Sequence, residues 1–150
     1  ELRTARWSEI DLESKEWRYV VTKTSTSHIV PLCSQAIDIL QTLQPLTGHS
    51  AFVFPNARSR LRPMSNNAVL AAMRRMEISK DEMCGHGFRA MAKTILIEQL
   101  GYNEALTGLQ LSHSRKDPLG NAYNRTTFLR ERTEMMQVWA DYLDKLRNSS

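Results

Sequence analysis

At 150 residues the chain has room for one domain with a sizeable hydrophobic core. Its 20 Lys and Arg against 16 Asp and Glu leave a net charge of +4, which suits a polyanionic partner without demanding one. No run of about 18 apolar residues or secretory signal is present, so no membrane span is expected, and Cys33 and Cys84 are too far apart for metal-ligand spacing and read as reduced thiols of a cytosolic protein.

Glu1 to Arg6 reads as the end of a helix with neither a capping residue nor a starting Met, so the chain is expected to be a piece of a longer protein. Trp7 to Leu12 alternates apolar and polar residues, as a short strand does, and Ser14-Lys15-Glu16 reads as a turn. Trp17 to Val21, rich in aromatic and β-branched residues, predicts a second strand. The polar stretch Lys23 to Ser27 predicts a hairpin tip, and His28 to Leu32 a third strand, with Pro31 marking an edge or a strand end. Ser34 is a suitable N-cap for a helix with the stripe Ala36, Ile37, Leu40 and Leu43, which Pro45 is expected to end.

Residues 47–64 read mostly as loop, anchored at Phe52-Val53-Phe54. Ser65 is expected to cap a helix carrying Val69, Leu70, Met73 and Met76. A further helix follows His86, carries Met91, Ile95, Leu96 and Leu100, and stops at Gly101. Glu104 to Leu111 reads as a short helix, and Pro118 and Gly120 break the chain before Tyr123. A last helix is expected from about Thr127 to Leu146, with the stripe Phe128, Met135, Trp139, Tyr142 or Leu143, and Leu146. The expected fold class is α+β, mainly α: a single helical domain over residues 1–150 with a small three-stranded antiparallel sheet near its N-terminus.

The chemistry centres on Cys84-Gly85-His86-Gly87-Phe88-Arg89. Residues three apart on a helix share a face, so His86 and Arg89 pair a proton carrier with a permanent cation able to grip a phosphate by two hydrogen bonds. Leu111-Ser112-His113 follows, and then Asn121-Ala122-Tyr123-Asn124-Arg125. Breaking a phosphodiester without a metal needs fixed cations around its oxygens, a nucleophile able to lose a proton, and an acid for the leaving 5′ oxygen. Arg89, His86, His113 and Tyr123 cover the first two demands, and a lysine would serve the third. Tyr19, Tyr102 and Tyr142 read as structural, while Tyr123 falls in a break between helices with Arg125 nearby.

With these motifs in this order, the chain resembles the catalytic domain of the tyrosine recombinase family, and within it the prophage integrases, over essentially its whole length. Glu1 to Asp11 is similar to the segment after the family's first catalytic arginine, His28-Ile29-Val30-Pro31-Leu32 to the strand after its lysine hairpin, and Phe52-Val53-Phe54-Pro55 to its central loop. His86-Gly87-Phe88-Arg89 resembles the HxxR box, Leu111-Ser112-His113 stands where Leu-Gly-His is usual, and Ala122-Tyr123-Asn124-Arg125 resembles the nucleophile segment.

The resemblance implies a DNA breaking-rejoining fold and site-specific recombination for prophage integration and excision. In these roles Tyr123 attacks to form a 3′-phosphotyrosyl bond, Arg89 binds non-bridging oxygens, His86 assists proton transfer, His113 hydrogen-bonds the phosphate, and Lys23 protonates the leaving 5′ hydroxyl. It implies no cofactor and no metal, double-stranded attachment-site DNA as partner, accessory DNA-bending proteins, a homotetramer coupled through the C-terminal helix, and work at the bacterial nucleoid in the cytoplasm. The first arginine would lie just before Glu1, so the chain alone is expected to cleave weakly or not at all. The hairpin is also less basic than is usual, with Lys23 its one lysine.

Blander readings stand beside these. His86 alone reads as a helix-start histidine, Arg89 as a salt-bridge partner, His113 as a helix-end residue facing the dipole, and Lys23 as a solvated hairpin residue. His28 and His49 lack partners at ligand spacing and read as structural. Arg6, Arg58, Arg60, Arg62, Arg74, Arg75 and Arg125 are either solvated or contacts to a DNA backbone. The last helix either packs on its own core or docks on a neighbouring protomer. Rival functions are relaxation of DNA by a type IB topoisomerase and DNA binding without reaction.

Overall fold

Two tight turns build the first sheet. In the computed structural model, which describes residues 1–112 and 128–149, a 3-10 turn at Trp7–Glu9 runs into a two-residue strand, β1 (Ile10–Asp11). The strand expected from Trp7 is thus mostly 3-10 turn, because Glu9 folds back to accept the Arg6 amide at 3.0 Å. The Asp11 carboxylate accepts the amides of Glu13 and Ser14, each at 3.0 Å, and turns the chain into β2 (Glu16–Val21). Residues 22–25 lead into β3 (Thr26–Pro31), with Ser25 left-handed at φ 52° and its amide 2.8 Å from the Val21 carbonyl.

The sheet is antiparallel in the order β1-β2-β3, with Ile10 opposite Trp17, Trp17 opposite Val30 and Tyr19 opposite His28. Along β2, Trp17, Tyr19 and Val21 are half-buried while Arg18 and Val20 are exposed, as a period of two requires. β3 is an edge strand, which tolerates Pro31 at its end.

A first core forms where the sheet meets α1 (Ser34–Thr47): Ala5, Leu40 and Val53 are buried and are walled by Trp7, Ile10, Leu12, Trp17, Leu32, Leu43 and Phe54. Pro45 does not end α1, which continues to Thr47. The carbonyl that loses its amide donor belongs to Gln41, an exposed residue that water can serve. The N-cap is Cys33, one residue before the expected Ser34. The Ser34 amide is bound from afar, by the Gln137 side-chain oxygen at 2.9 Å.

The segment expected as loop contains a second antiparallel hairpin, β4 (Pro55–Asn56) and β5 (Ser59–Pro63), turned by Asn56 Oδ1 accepting the Arg58 amide at 2.9 Å. Buried Ser50 anchors it by donating to the Arg60 carbonyl at 2.7 Å. α2 (Ala68–Arg75) starts from Asn67, not Ser65, whose carbonyl instead accepts the Ala68 amide.

α3 (Gly87–Glu98), α4 (Glu104–Gln110) and α5 (Leu129–Asn148) form a second packed layer, which meets the sheet where α5 crosses β3. Gly101 at φ 73° closes the α3 end, and Asn103 Oδ1 caps α4 by accepting the Ala105 amide at 2.6 Å. Leu96, Thr107 and Met135 are buried here, with Thr107 Oγ1 donating to Met135 Sδ at 3.8 Å.

On α5 the buried residues are Arg132, Met135 and Ala140. Phe128 of the expected stripe precedes the helix as its N-cap and is exposed, and Leu143 and Leu146 are exposed where the C-terminal half of α5 approaches α1 through polar contacts. Gln35 Nε2 donates to Asp141 at 2.8 Å and to Asp144 at 2.9 Å, and Gln137 Nε2 to the Ser34 hydroxyl at 3.0 Å.

Removing a side chain from the second core leaves a cavity, whereas removing an exposed one does not. Leu96→Ala, at 2 % exposure, is expected to lower stability by about 2–5 kcal/mol, and Leu61→Ala, at 90 % exposure, by less than about 0.5 kcal/mol. Urea unfolding midpoints at constant slope measure both.

Candidate functional site

His86 is the N-cap residue of α3, and its carbonyl accepts the amides of Arg89 at 3.1 Å and Ala90 at 3.3 Å. The histidine side chain is exposed and makes no capping bond. Arg89 lies in the first turn of the helix, half-buried, and its guanidinium has no hydrogen-bond or carboxylate partner among the described residues. The HxxR pair therefore begins the helix, with the Arg89 cation unpaired among the described residues.

The approach to His86 is braced by Arg74, which donates to the Ile78 carbonyl and to the Met83 carbonyl at 3.4 Å. Ser79 and Glu82 bond reciprocally, the Ser79 amide to Glu82 Oε2 at 2.7 Å and the Glu82 amide to Ser79 Oγ at 3.3 Å. Arg74, taken from sequence as a DNA contact or a solvated residue, thus also shapes the loop that delivers the HxxR helix.

Lys23 sits exposed in the four-residue loop at the tip of the β2–β3 hairpin. Next to it, the Thr22 amide donates to the Glu1 carboxylate at 3.0 Å, which ties the start of the chain to this tip. His113, Tyr123 and Arg125 lie outside the described residues.

Electrostatics connect α3 to the hairpin. Burial raises the Tyr19 phenol above its ordinary value and Glu1 raises it further, while Arg89 and Arg132 pull it down. Burial lowers the His28 imidazole, as do the charges of Arg132 and Arg89, against the hydrogen bond to Gln110. Arg89 is thus close enough to the hairpin for its charge to act on both rings of the Tyr19–His28 cross-strand pair, whose centroids lie 5.6 Å apart.

His28 Nε2 is 3.2 Å from the Gln110 carbonyl. A carbonyl only accepts, so Nε2 carries the proton and donates. Arg132 donates through Nε to Gln110 Oε1 at 2.9 Å and through a terminal nitrogen to the Ile29 carbonyl. His28 was read as structural, and it is packed and bonded, not free. Arg132 and Gln110 were missed. The available signal was a charged residue on the apolar side of α5, four after Phe128 and three before Met135.

Among the remaining basic candidates, Arg6 lies over the Phe52 ring, 4.9 Å from its centroid. Arg58, Arg60 and Arg62 are exposed on the β4–β5 hairpin, and Arg75 is exposed at the end of α2. Among the described residues no cluster of three or more His, Cys, Asp or Glu could hold a metal ion, and no helix is long and apolar enough to cross a membrane.

The phage integrase family pattern matches residues 1–130, the span that holds the hairpin, the HxxR helix and Tyr123. The chain belongs to the phage integrase family. It is similar to the integrase of Enterobacteria phage P4, 40 % identical over 164 aligned positions that cover 99 % of the chain and 37 % of that protein. The prophage integrase IntA of Escherichia coli strain K12 is 36 % identical over 94 % of the chain and 34 % of its own length, and the integrase of Shigella phage Sf6 is 35 % identical over 97 % and 38 %. The chain thus spans a little over a third of the length of these integrases. No solved structure gives a significant match.

The His28 environment makes the stability of this integrase chain depend on pH. Its folded pKa lies below the ordinary 6.5, so between the two values the unfolded chain binds the extra proton. Stability is therefore complete above about pH 6.5 and falls as pH drops towards the folded value. His28→Gln keeps a donor for the Gln110 carbonyl and removes the titration. Urea midpoints at pH 7.5 and pH 5 are expected to differ less in His28→Gln than in the unaltered chain.

Proposed function

We propose that this chain is the catalytic domain of a site-specific tyrosine recombinase that cleaves and rejoins double-stranded DNA through a 3′-phosphotyrosyl intermediate. The observation that carries the reading is the Arg89 guanidinium at the head of α3, without a hydrogen-bond or carboxylate partner among the described residues and acting electrostatically on the hairpin whose tip holds Lys23, in a member of the phage integrase family. A free, partly desolvated arginine is suited to a phosphate, because its planar donor fork matches two phosphate oxygens.

In this mechanism the Tyr123 oxygen attacks the scissile phosphorus, and the P–O5′ bond breaks. Arg89 holds the non-bridging oxygens as charge grows on them, and His113 adds a hydrogen bond. His86, exposed beside Arg89, assists the proton that leaves Tyr123. The Lys23 ammonium gives its proton to the departing 5′ oxygen. Religation is the reverse: the 5′ hydroxyl attacks the phosphotyrosine and Tyr123 leaves, so the bond energy is conserved without a nucleotide cofactor.

The reading includes an arginine just upstream of Glu1 as a second phosphate ligand, and the Glu1–Thr22 bond, which brings the start of the chain beside Lys23, supports it. It places the protein on attachment-site DNA at the bacterial nucleoid, where a homotetramer, with accessory DNA-bending proteins, exchanges strands. The apolar side chains that α5 leaves exposed, Val138 and Leu143 among them, support docking on a neighbouring protomer.

The test is adduct trapping on nicked attachment-site DNA, whose short 5′-hydroxyl strand diffuses away after cleavage. It is run on the chain and on the longest open reading frame that contains it. The longer form is expected to form a covalent protein–DNA adduct and to join two duplexes, and the 150-residue chain to form little or none. Tyr123→Phe is expected to abolish the adduct, and Arg89→Ala to slow it by about 10²–10³-fold. An adduct that survives Tyr123→Phe, or relaxation of supercoils without joined products, rejects the proposal.

A further inference from the structure

Arg132 is fully buried on α5, and among the described residues the two oxygens to which it donates are both neutral. Burying a guanidinium away from water carries a large desolvation cost, and an apolar side chain of similar size at such a place is often as stable or more so. Stability alone therefore does not account for an arginine here. What only a long forked donor can do is reach two separate segments at once.

The two segments are the end of α4, through Gln110 Oε1, and strand β3, through the Ile29 carbonyl. Beside them His28 Nε2 donates to the Gln110 carbonyl at 3.2 Å, a second tie between the same strand and the same helix end. Lys23 lies in the loop between β2 and β3, five residues before His28, and its side chain is exposed. The β2–β3 ladder is continuous from Glu16–Pro31 to Val21–Thr26, so anchoring the ribbon at Ile29 and His28 sets where its tip points. His113 follows Gln110 by three residues, and Tyr123 precedes Arg132 by nine.

We infer that Arg132 is a positioning residue that fastens the β2–β3 hairpin, and with it Lys23, to the end of α4 and the start of α5. The inference rests on the reading of Lys23 as the acid that protonates the leaving oxygen. An error of about 1 Å in the placement of a reacting group can cost about 10²-fold in rate, even when the change is made far from the chemistry.

The experiment compares two DNA substrates in the longest open reading frame that contains the chain. One has the natural 5′ oxygen at the scissile bond. The other has a bridging sulfur there, which leaves as a thiolate and needs no proton. Arg132→Met, which keeps the bulk and removes the donors, is expected to slow adduct formation by about 10²-fold on the oxygen substrate and by less than about threefold on the sulfur substrate. DNA affinity is expected to stay within about twofold, and Lys23→Ala combined with Arg132→Met to be no slower than Lys23→Ala alone.

Equal slowing on both substrates, or rate losses that multiply in the double variant, overturns the inference. Where Arg132→Met does not fold, by circular dichroism and urea unfolding, Arg132→Lys is held to the same pattern, because an ammonium lacks the fork that spans both acceptors. Lys23→Ala by itself distinguishes the two levels of the argument. If it slows oxygen DNA and spares sulfur DNA, the site reading stands whatever Arg132 does; if it does neither, the site reading fails and the inference with it.

Discussion

The guanidinium of Arg132, held between Gln110 Oε1 and the Ile29 carbonyl, is the interaction on which the arrangement of this chain depends. It lies at the junction of two packed layers. On one side is the sheet with α1, closed over Ala5, Leu40 and Val53. On the other is the layer of α3, α4 and α5, closed over Leu96, Thr107 and Met135. Apolar surfaces at this seam would bring the layers together without setting their register, because hydrophobic burial is non-directional. Hydrogen bonds from a buried cation are directional, and leaving either acceptor unpaired costs about 1–3 kcal/mol, so a slipped seam is disfavoured.

A second set of polar bonds repeats this logic along α5. Gln137 supplies the oxygen that the first amide of α1 lacks, and Gln35 reaches back to Asp141 and Asp144. These bonds are largely exposed, and each is individually weak. They fix which way α5 leaves the seam, and they explain why Leu143 and Leu146 remain outside the core although their spacing is that of a buried stripe.

The same seam sets the electrostatics of the candidate site. Arg89 acts on His28 and Tyr19 because α3 packs on α4, α4 on α5, and α5 on β3. Burial first, and then the charges of Arg132 and Arg89, push the His28 imidazole towards its neutral form, which still donates from Nε2 to the Gln110 carbonyl. The site cations differ in kind. Arg132 is buried and bonded at two points, whereas Arg89 and Lys23 are without hydrogen-bond or carboxylate partners among the described residues.

Local chemistry made much of this legible in the sequence. The strands at residues 16–21 and 26–31, the helix after His86, its stop at Gly101 and the short helix from Glu104 follow from alternation, helical spacing and glycine at a positive φ. The family too was written in short motifs whose order alone is distinctive. The β4–β5 hairpin was hidden because β4 is only two residues long and β5, largely exposed, alternates arginine with leucine, a pattern without an apolar face. Pro45 misled because a proline in the last turn disturbs only a carbonyl that water can serve. The sequence by itself determined which side chains could hold a phosphate and move a proton, since that depends on residue type and on spacing within one helix. Only the tertiary structure decided that His28, Gln110 and Arg132 meet, because the contact joins residues 22 to 104 positions apart and exists only when two layers close on a shared buried charge.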